Sequence, residues 1–394
     1  MEQFTYDAAF FDAGIDRTGT DCEKWDEMQA RHGSDVLPMW VADMDFRSPL
    51  EVQRALADRA AHGTYGYPTR VPQDAGAVVD YWARRHGLAF AAQDVLMLPC
   101  VVAGLNVAVR ALTTPRQSVI IQPPVYGPFF HAAEPNGRAL LKNPLREDDD
   151  HRWHMDLEGL EDCLRLGGKL LLLCSPHNPV SRAWTRQELS DTLALCARYD
   201  ACIVTDEIHA DFVYPDRVHV PLLSLPGAAD RVVMLCAASK TFNIAGLRQA
   251  SCITLNPDLG RRMAETTAAS GAVCGNAFAL VGTRAAYAYG DAWLDALRAY
   301  LLESRRIAMD FFARRLPHIP VSPLEATYLM WLDCRALGLD DAELTRRTVQ
   351  MARVALSGGG SFGQEGQGFL RLNIGCPHSQ LQEALDRLAI ALSL

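Results

Sequence analysis

Between about residues 94 and 256 the chain repeats one pattern: a short run of consecutive apolar residues, a turn, an amphipathic stretch, then another apolar run. The runs lie at 95–98, 118–121, 139–141, 170–174, 202–205, 232–237 and 251–255, with helix-like segments at 104–112, 156–166 and 186–198 between several of them. Continuous rather than alternating apolar residues describe strands buried on both faces. Such strands occur where helices cover both sides of a mostly parallel sheet. The pattern predicts a large α/β domain. Segments 50–62 and 74–86 also carry helical periodicity. Past residue 257 the pattern turns helical, with a long charged helix over 291–316, strands at 328–332 and 369–374, and helices at 340–353 and 379–393. This divides the chain into an N-terminal segment, 1–48, belonging to a small domain; a large α/β domain, 49–290; and a smaller C-terminal α+β domain, 291–394. The glycine-rich run Ser357–Gly363 is expected to be a flexible loop.

A chain of 394 residues, 49% hydrophobic and 22% charged, can bury a core without help from a partner. Its net charge of −9 lacks the overall basic footprint of nucleic-acid binding. No segment approaches the roughly 18–20 apolar residues of a membrane span, and residues 1–20 have no signal-like apolar core. The eleven cysteines are odd in number, dispersed, and form no C-x-x-C pair, so most are expected to be reduced core residues. The expectation is a cytoplasmic protein that binds neither nucleic acid nor membrane.

Of the 38 basic residues only Lys24, Lys142, Lys169 and Lys240 are lysines, and the other 34 are arginines. A guanidinium keeps its proton, whereas a lysine amine can lose one and act as a nucleophile, so any amine chemistry has few candidates. Lys24 in a charged stretch, Lys142 at the end of a short run and Lys169 after two glycines are expected at the surface. Lys240 follows the apolar run 232–237 in small, apolar surroundings, where desolvation lowers an amine pKa. Asp206 closes the run 202–205, and Asn178 follows 170–174 between Pro176 and Pro179. The carboxyl ends of parallel strands open onto the crevice where such sheets bind ligands. His151 and His154 sit in an acidic, polar turn, and no metal is assigned to them.

A carboxylate, an amide and a lone lysine at three strand ends match the needs of pyridoxal phosphate: a lysine for a Schiff base, an acid on the pyridine nitrogen and an amide on the phenolic oxygen. The runs Ser175-Pro176-His177-Asn178-Pro179, Thr205-Asp206-Glu207-Ile208-His209 and Ser239-Lys240-Thr241-Phe242-Asn243 through Leu247 resemble motifs of fold-type I pyridoxal-phosphate enzymes of the class I/II aminotransferase superfamily. More narrowly they are similar to its cystathionine β-lyase (PatB/MalY type) branch. Supporting segments are Trp40–Phe46, Thr64–Tyr67, Gln122–Tyr126 and Phe369–Gly375.

The resemblance implies an aspartate aminotransferase-like fold and a homodimer acting on a small amino-acid substrate. It implies catalytic roles for Lys240, Tyr126 and Asp206, with Tyr126 over the cofactor ring. The cofactor would also be held by Asn178 and His209, its phosphate by Val102 and Ala103 at a helix start, Ser239 and Arg248, and by Tyr65 donated across the dimer interface. Arg371, with Ala42 and Tyr126, would bind substrate, the guanidinium gripping the α-carboxylate. Position 181 is serine where the family commonly carries glycine. His209 stands where many aminotransferases carry tyrosine, which favours the lyase branch. The implied reaction is α,β-elimination from a cysteine S-conjugate. An aminotransferase, a specialised biosynthetic enzyme acting on a cysteine conjugate, and a protein that modulates a transcriptional regulator through its surface are the alternatives.

Overall fold

The computed structural model describes residues 4–272 and 275–393. Each of the seven apolar runs forms a strand of one sheet: β1 Val95–Leu98, β2 Ser118–Ile121, β3 Ala139–Lys142, β4 Gly168–Cys174, β5 Cys202–Asp206, β6 Val232–Cys236 and β7 Ala250–Ile253. Their order across the sheet is β1-β7-β6-β5-β4-β2-β3. All neighbours are parallel except β7, which runs antiparallel to both β1 and β6.

Two apolar layers enclose this sheet. One packs α1 (Val101–Leu112) and Met263 against Leu170, Leu172, Val204, Val233 and Leu235. The other takes the alternate residues Leu171, Leu173, Ile203, Val232 and Met234 into the main core. Side chains that alternate across a pleated strand but are apolar on both sides can only be satisfied in this way. Here the sequence expectation and the fold agree.

Because β7 is reversed, its starting end lies on the same sheet edge as the carboxyl ends of β1, β2, β4, β5 and β6. With the end of β3, which is parallel to β2, six strand ends and one strand start therefore meet along one edge. Near them runs a second, three-stranded antiparallel sheet: β8 Leu329–Asp333, β9 Ser357–Gly358 and β10 Phe369–Asn373, in the order β8-β10-β9. Helix α2 (Asp291–Arg315) and helix α3 (His378–Ala391) flank it, and Leu37–Pro38 pair in parallel with Val354–Ala355.

Two expectations need correction. The helix expected over 340–353 is α-helical only at Asp341–Arg346 and continues as a wider π-type turn, Arg347–Met351. The run Ser357–Gly363 is not a slack loop. It supplies β9 and a 3-10 turn, Gly359–Phe362, and a Cβ on Gly359 would lie 1.9 Å from the Gly366 carbonyl oxygen. These glycines permit close backbone packing rather than motion.

Candidate active site

Along the sheet edge lies a cavity of about 200 Å³ whose lining includes Lys240, Asp206, Asn178, Tyr126 and Arg371. Ala42, Val102, His209, Ser239 and Arg248 also line it. Ten of the twelve residues singled out in the sequence thus share one wall.

Lys240 sits on a short helical turn, Ala238–Thr241, directly after β6. Its Nζ donates to the Ala42 carbonyl at 2.5 Å. Desolvation holds this amine below the ordinary lysine range, a loss only partly offset by the Asp43 and Asp206 carboxylates. Asp206 ends β5 fully enclosed, with the Ile208 N–H donating to its Oδ1 at 3.1 Å. Burial pushes its carboxyl up to about 7. Among the described residues no cation lies within ion-pair distance of Asp206, so a negative charge here awaits a positive partner.

Arg371, on β10, is the complementary case. Its guanidinium is buried, donates to Asn178 Oδ1 and the Trp40 carbonyl, both at 2.8 Å, and to Ser357 Oγ at 3.2 Å. It lies over the Phe362 ring, and its Nε has no partner. Burial brings it down to about 10, and no described carboxylate pairs with it. A buried cation of this kind is a receptor for an anionic group. Because Asn178 presents Oδ1 to Arg371, its amide nitrogen is the end left for another partner. His209 is buried and neutral, with desolvation bringing it down to about 3, and its Nδ1 is unpartnered.

Tyr126 follows β2 at the cavity wall. Desolvation, with the Asp206 charge next in weight, raises its hydroxyl. The N–H groups of Val101 and Val102 head α1 and donate to no described acceptor, which is the arrangement that receives a phosphate. Ala103 does not line the cavity. Its N–H is taken by the Cys100 thiol at 3.4 Å, because Cys100 occupies the N-cap position. Tyr65 also lies elsewhere, 61% exposed, with its hydroxyl donating to Ala60 O at 2.8 Å.

The segment Trp40–Phe46 forms a strap across the cavity, and each carbonyl from Trp40 to Met44 accepts a side-chain hydrogen bond. Ser357 and Arg371 hold Trp40; Asn373 holds Val41 and Asp43; Tyr328 joins Lys240 on Ala42; Arg17 and Asn243 hold Met44. Beneath it Lys24 is completely buried, donating to Asp43 O and Asp45 Oδ2, both at 2.8 Å. The expectation of a surface lysine at 24 is therefore wrong. Its partner, Asp45, also receives Arg17, Trp25 and Gln380. The supports Ser357, Asn373, Asn243 and Lys24 escaped the sequence reading. The one local signal was Asn373, a polar residue inside the apolar run 369–374.

Ser181, the departure from glycine, does adopt the left-handed backbone, with φ +58°. Its hydroxyl donates to the Leu329 carbonyl and lies 3.1 Å from Thr327 Oγ1, which offsets the steric cost. His151 lies 2.8 Å from Glu147 and 3.7 Å from Asp333, and Arg335 bonds both carboxylates.

The family model described as Aminotransferase class I and II matches residues 34–388. The chain belongs to this family. It is 41% identical to "Cystathionine beta-lyase PatB" of Bacillus subtilis (strain 168), covering 97% of this chain and 100% of the relative. It is 33% identical to "Protein MalY" of Escherichia coli (strain K12), covering 97% and 98%. Among solved structures, cystalysin from Treponema denticola, which contains pyridoxal 5'-phosphate, superposes with a TM-score of 0.93 at 32% identity, covering 100% of this chain and 99% of that one. Family membership fits the edge geometry: an unpaired carboxylate, a desolvated lysine, a helix start and an unpaired arginine facing one space.

Proposed function

We propose that the protein is a pyridoxal 5'-phosphate-dependent carbon-sulfur lyase that performs α,β-elimination on L-cystathionine or another cysteine S-conjugate, releasing thiol, pyruvate and ammonia. The observation that carries the reading is Asp206, a buried carboxylate without a cation, facing the same cavity as the desolvated Lys240. A protonated pyridine nitrogen supplies the missing counter-charge, and the full-length likeness to a cystathionine β-lyase supports elimination over amino transfer.

In this reading Lys240 would anchor the cofactor, Asp206 would pair with its pyridine nitrogen, the Asn178 amide would donate to its phenolic oxygen, and Tyr126 would pack against the ring. Val101 and Val102 N–H groups, Ser239 and Arg248 hold the phosphate. When bound, the cofactor supplies an electron sink that stabilises negative charge at the substrate α-carbon. Arg371 pairs with the α-carboxylate by its bidentate fork, and its bonds to Asn178 and Trp40 O fix the angle of that pair. The Lys240 amine, depressed by burial, removes the α-proton as the thiolate departs from Cβ. In the chain without cofactor the Ala42 carbonyl holds the amine at the cavity wall.

We assign Tyr65 to the partner's cavity in a homodimer. In the single chain its loop is exposed, and Tyr67 beside it is fully so. Catalysis is assigned to the cytoplasm, since the ten described cysteines are all unpaired and no described helix is long and apolar enough to cross a membrane.

Purified protein incubated with L-cystathionine and no 2-oxo acid is expected to yield pyruvate and free thiol in equal amounts. Borohydride is expected to bleach its visible absorption and fix the label on Lys240. Turnover only with an added 2-oxo acid would overturn the lyase, and label on another lysine would overturn the site.

A further inference from the structure

A second chamber, of about 680 Å³, adjoins the cofactor cavity: Ala245 and Arg248 line both. Its walls come from residues 15–23, the strap with its continuation to Gln53, and the turn after Lys240. Three of its seven charged residues are already committed. Arg17 is paired with Asp43 at 2.6 Å, and Asp16 accepts from Thr18. Glu23 and Arg47 are exposed and make no side-chain hydrogen bond or ion pair with any described residue.

Glu23 lines the chamber directly before Lys24, the buried lysine that holds the strap at Asp43 O. Arg47 follows Phe46 on the strap and borders the same space. Uncommitted charges of both signs are poorly suited to a purely apolar sulfur substituent. They suit one that ends in an ammonium and a carboxylate.

We propose that this chamber receives the arm beyond sulfur, and that Glu23 and Arg47 select an amino-acid arm by pairing with its ammonium and its carboxylate. The proposal rests on the lyase reading and names the substrate class that reading leaves open. Charge-assisted bonds at both ends would favour L-cystathionine over a conjugate whose sulfur carries a plain alkyl group.

The test measures pyruvate release from L-cystathionine and from S-ethyl-L-cysteine by the holoenzyme and by its Glu23→Gln and Arg47→Gln variants. Each substitution is expected to lower the ratio of kcat/KM for cystathionine to that for S-ethylcysteine by about tenfold, the effect of one charge-assisted bond. KM for cystathionine should carry most of the change. A ratio within twofold of the unaltered enzyme, or equal losses on both substrates, overturns the proposal. Absence of pyruvate from either substrate with the unaltered enzyme would instead overturn the lyase reading beneath it. Glu23→Arg serves as a second variant, since reversing the charge should repel the ammonium and lower the ratio further.

Discussion

Asp206 shows what a single residue pays in this site. Its carboxyl is pushed up from the ordinary range near 3.8 to about 7 by burial, so the folded chain without cofactor holds a proton that the unfolded chain releases. For a group whose pKa is raised on folding, stability is fully present below the unfolded value and is lost as pH rises through the folded one. Asp206→Asn removes that dependence. Urea unfolding of the cofactor-free proteins should therefore show the variant gaining on the unaltered chain by up to ~4 kcal/mol between pH ~4 and pH ~7. The comparison of the two proteins cancels the opposite trend from His177 and His209, which burial keeps neutral and which lose stability as pH falls. A difference that stays flat with pH would show that Asp206 is not desolvated. At this scale the sequence revealed Asp206, Asn178 and Lys240, because a polar residue closing an apolar run is a local signal. It hid Lys24, whose partner Asp45 lies 21 residues further along and becomes a neighbour only in the folded chain.

Among the elements, the turn Gly359–Phe362 joins β9 to the core beneath Arg371. A methyl group on Gly359 would lie 1.9 Å from Gly366 O and 2.7 Å from Phe369 O, both backbone atoms with little freedom to yield. Gly359→Ala is expected to destabilise the protein by about 3 kcal/mol, read from its urea midpoint, and to raise KM through displacement of Ser357 and Phe362. The Ser181 turn allows a graded test. Ser181→Ala keeps the left-handed backbone and loses the hydroxyl bond to β8, at a cost of about 2 kcal/mol, while Ser181→Gly should recover about 1 kcal/mol of that. If the alanine and glycine variants have equal stability, backbone strain at this position is negligible. The strands were legible as elements because both of their faces are buried. The glycine run read as a loop because composition reports conformational freedom and does not show the atoms that remove it. The helix over 340–353 was overextended because its periodicity continues through the π-type turn.

For the molecule as a whole, assignment of Tyr65 to a partner's cavity makes each catalytic centre a property of two chains. Random pairing of a Tyr65→Phe chain with a Lys240→Ala chain should then restore about one quarter of full activity, since half the dimers are mixed and each mixed dimer has one intact site. Activity that never exceeds the sum of the two separate variants would show that Tyr65 acts within its own chain or not at all. The fold was readable at this scale, but the Trp40–Phe46 strap was not, because its bonds join residues far apart in sequence, such as Trp40 to Arg371. The placement of the lysines has a practical outcome for handling the protein. Lys24 is sealed in, Lys169 is tied to the Tyr199 carbonyl, and Lys240 opens only onto the cavity, which leaves Lys142, on the edge strand β3, as the exposed lysine amine. Amine-reactive surfaces and dyes should therefore capture the enzyme by the Lys142 side chain. Immobilised molecules would share a nearly uniform orientation, and prior occupation of the cavity would protect the lysine that matters.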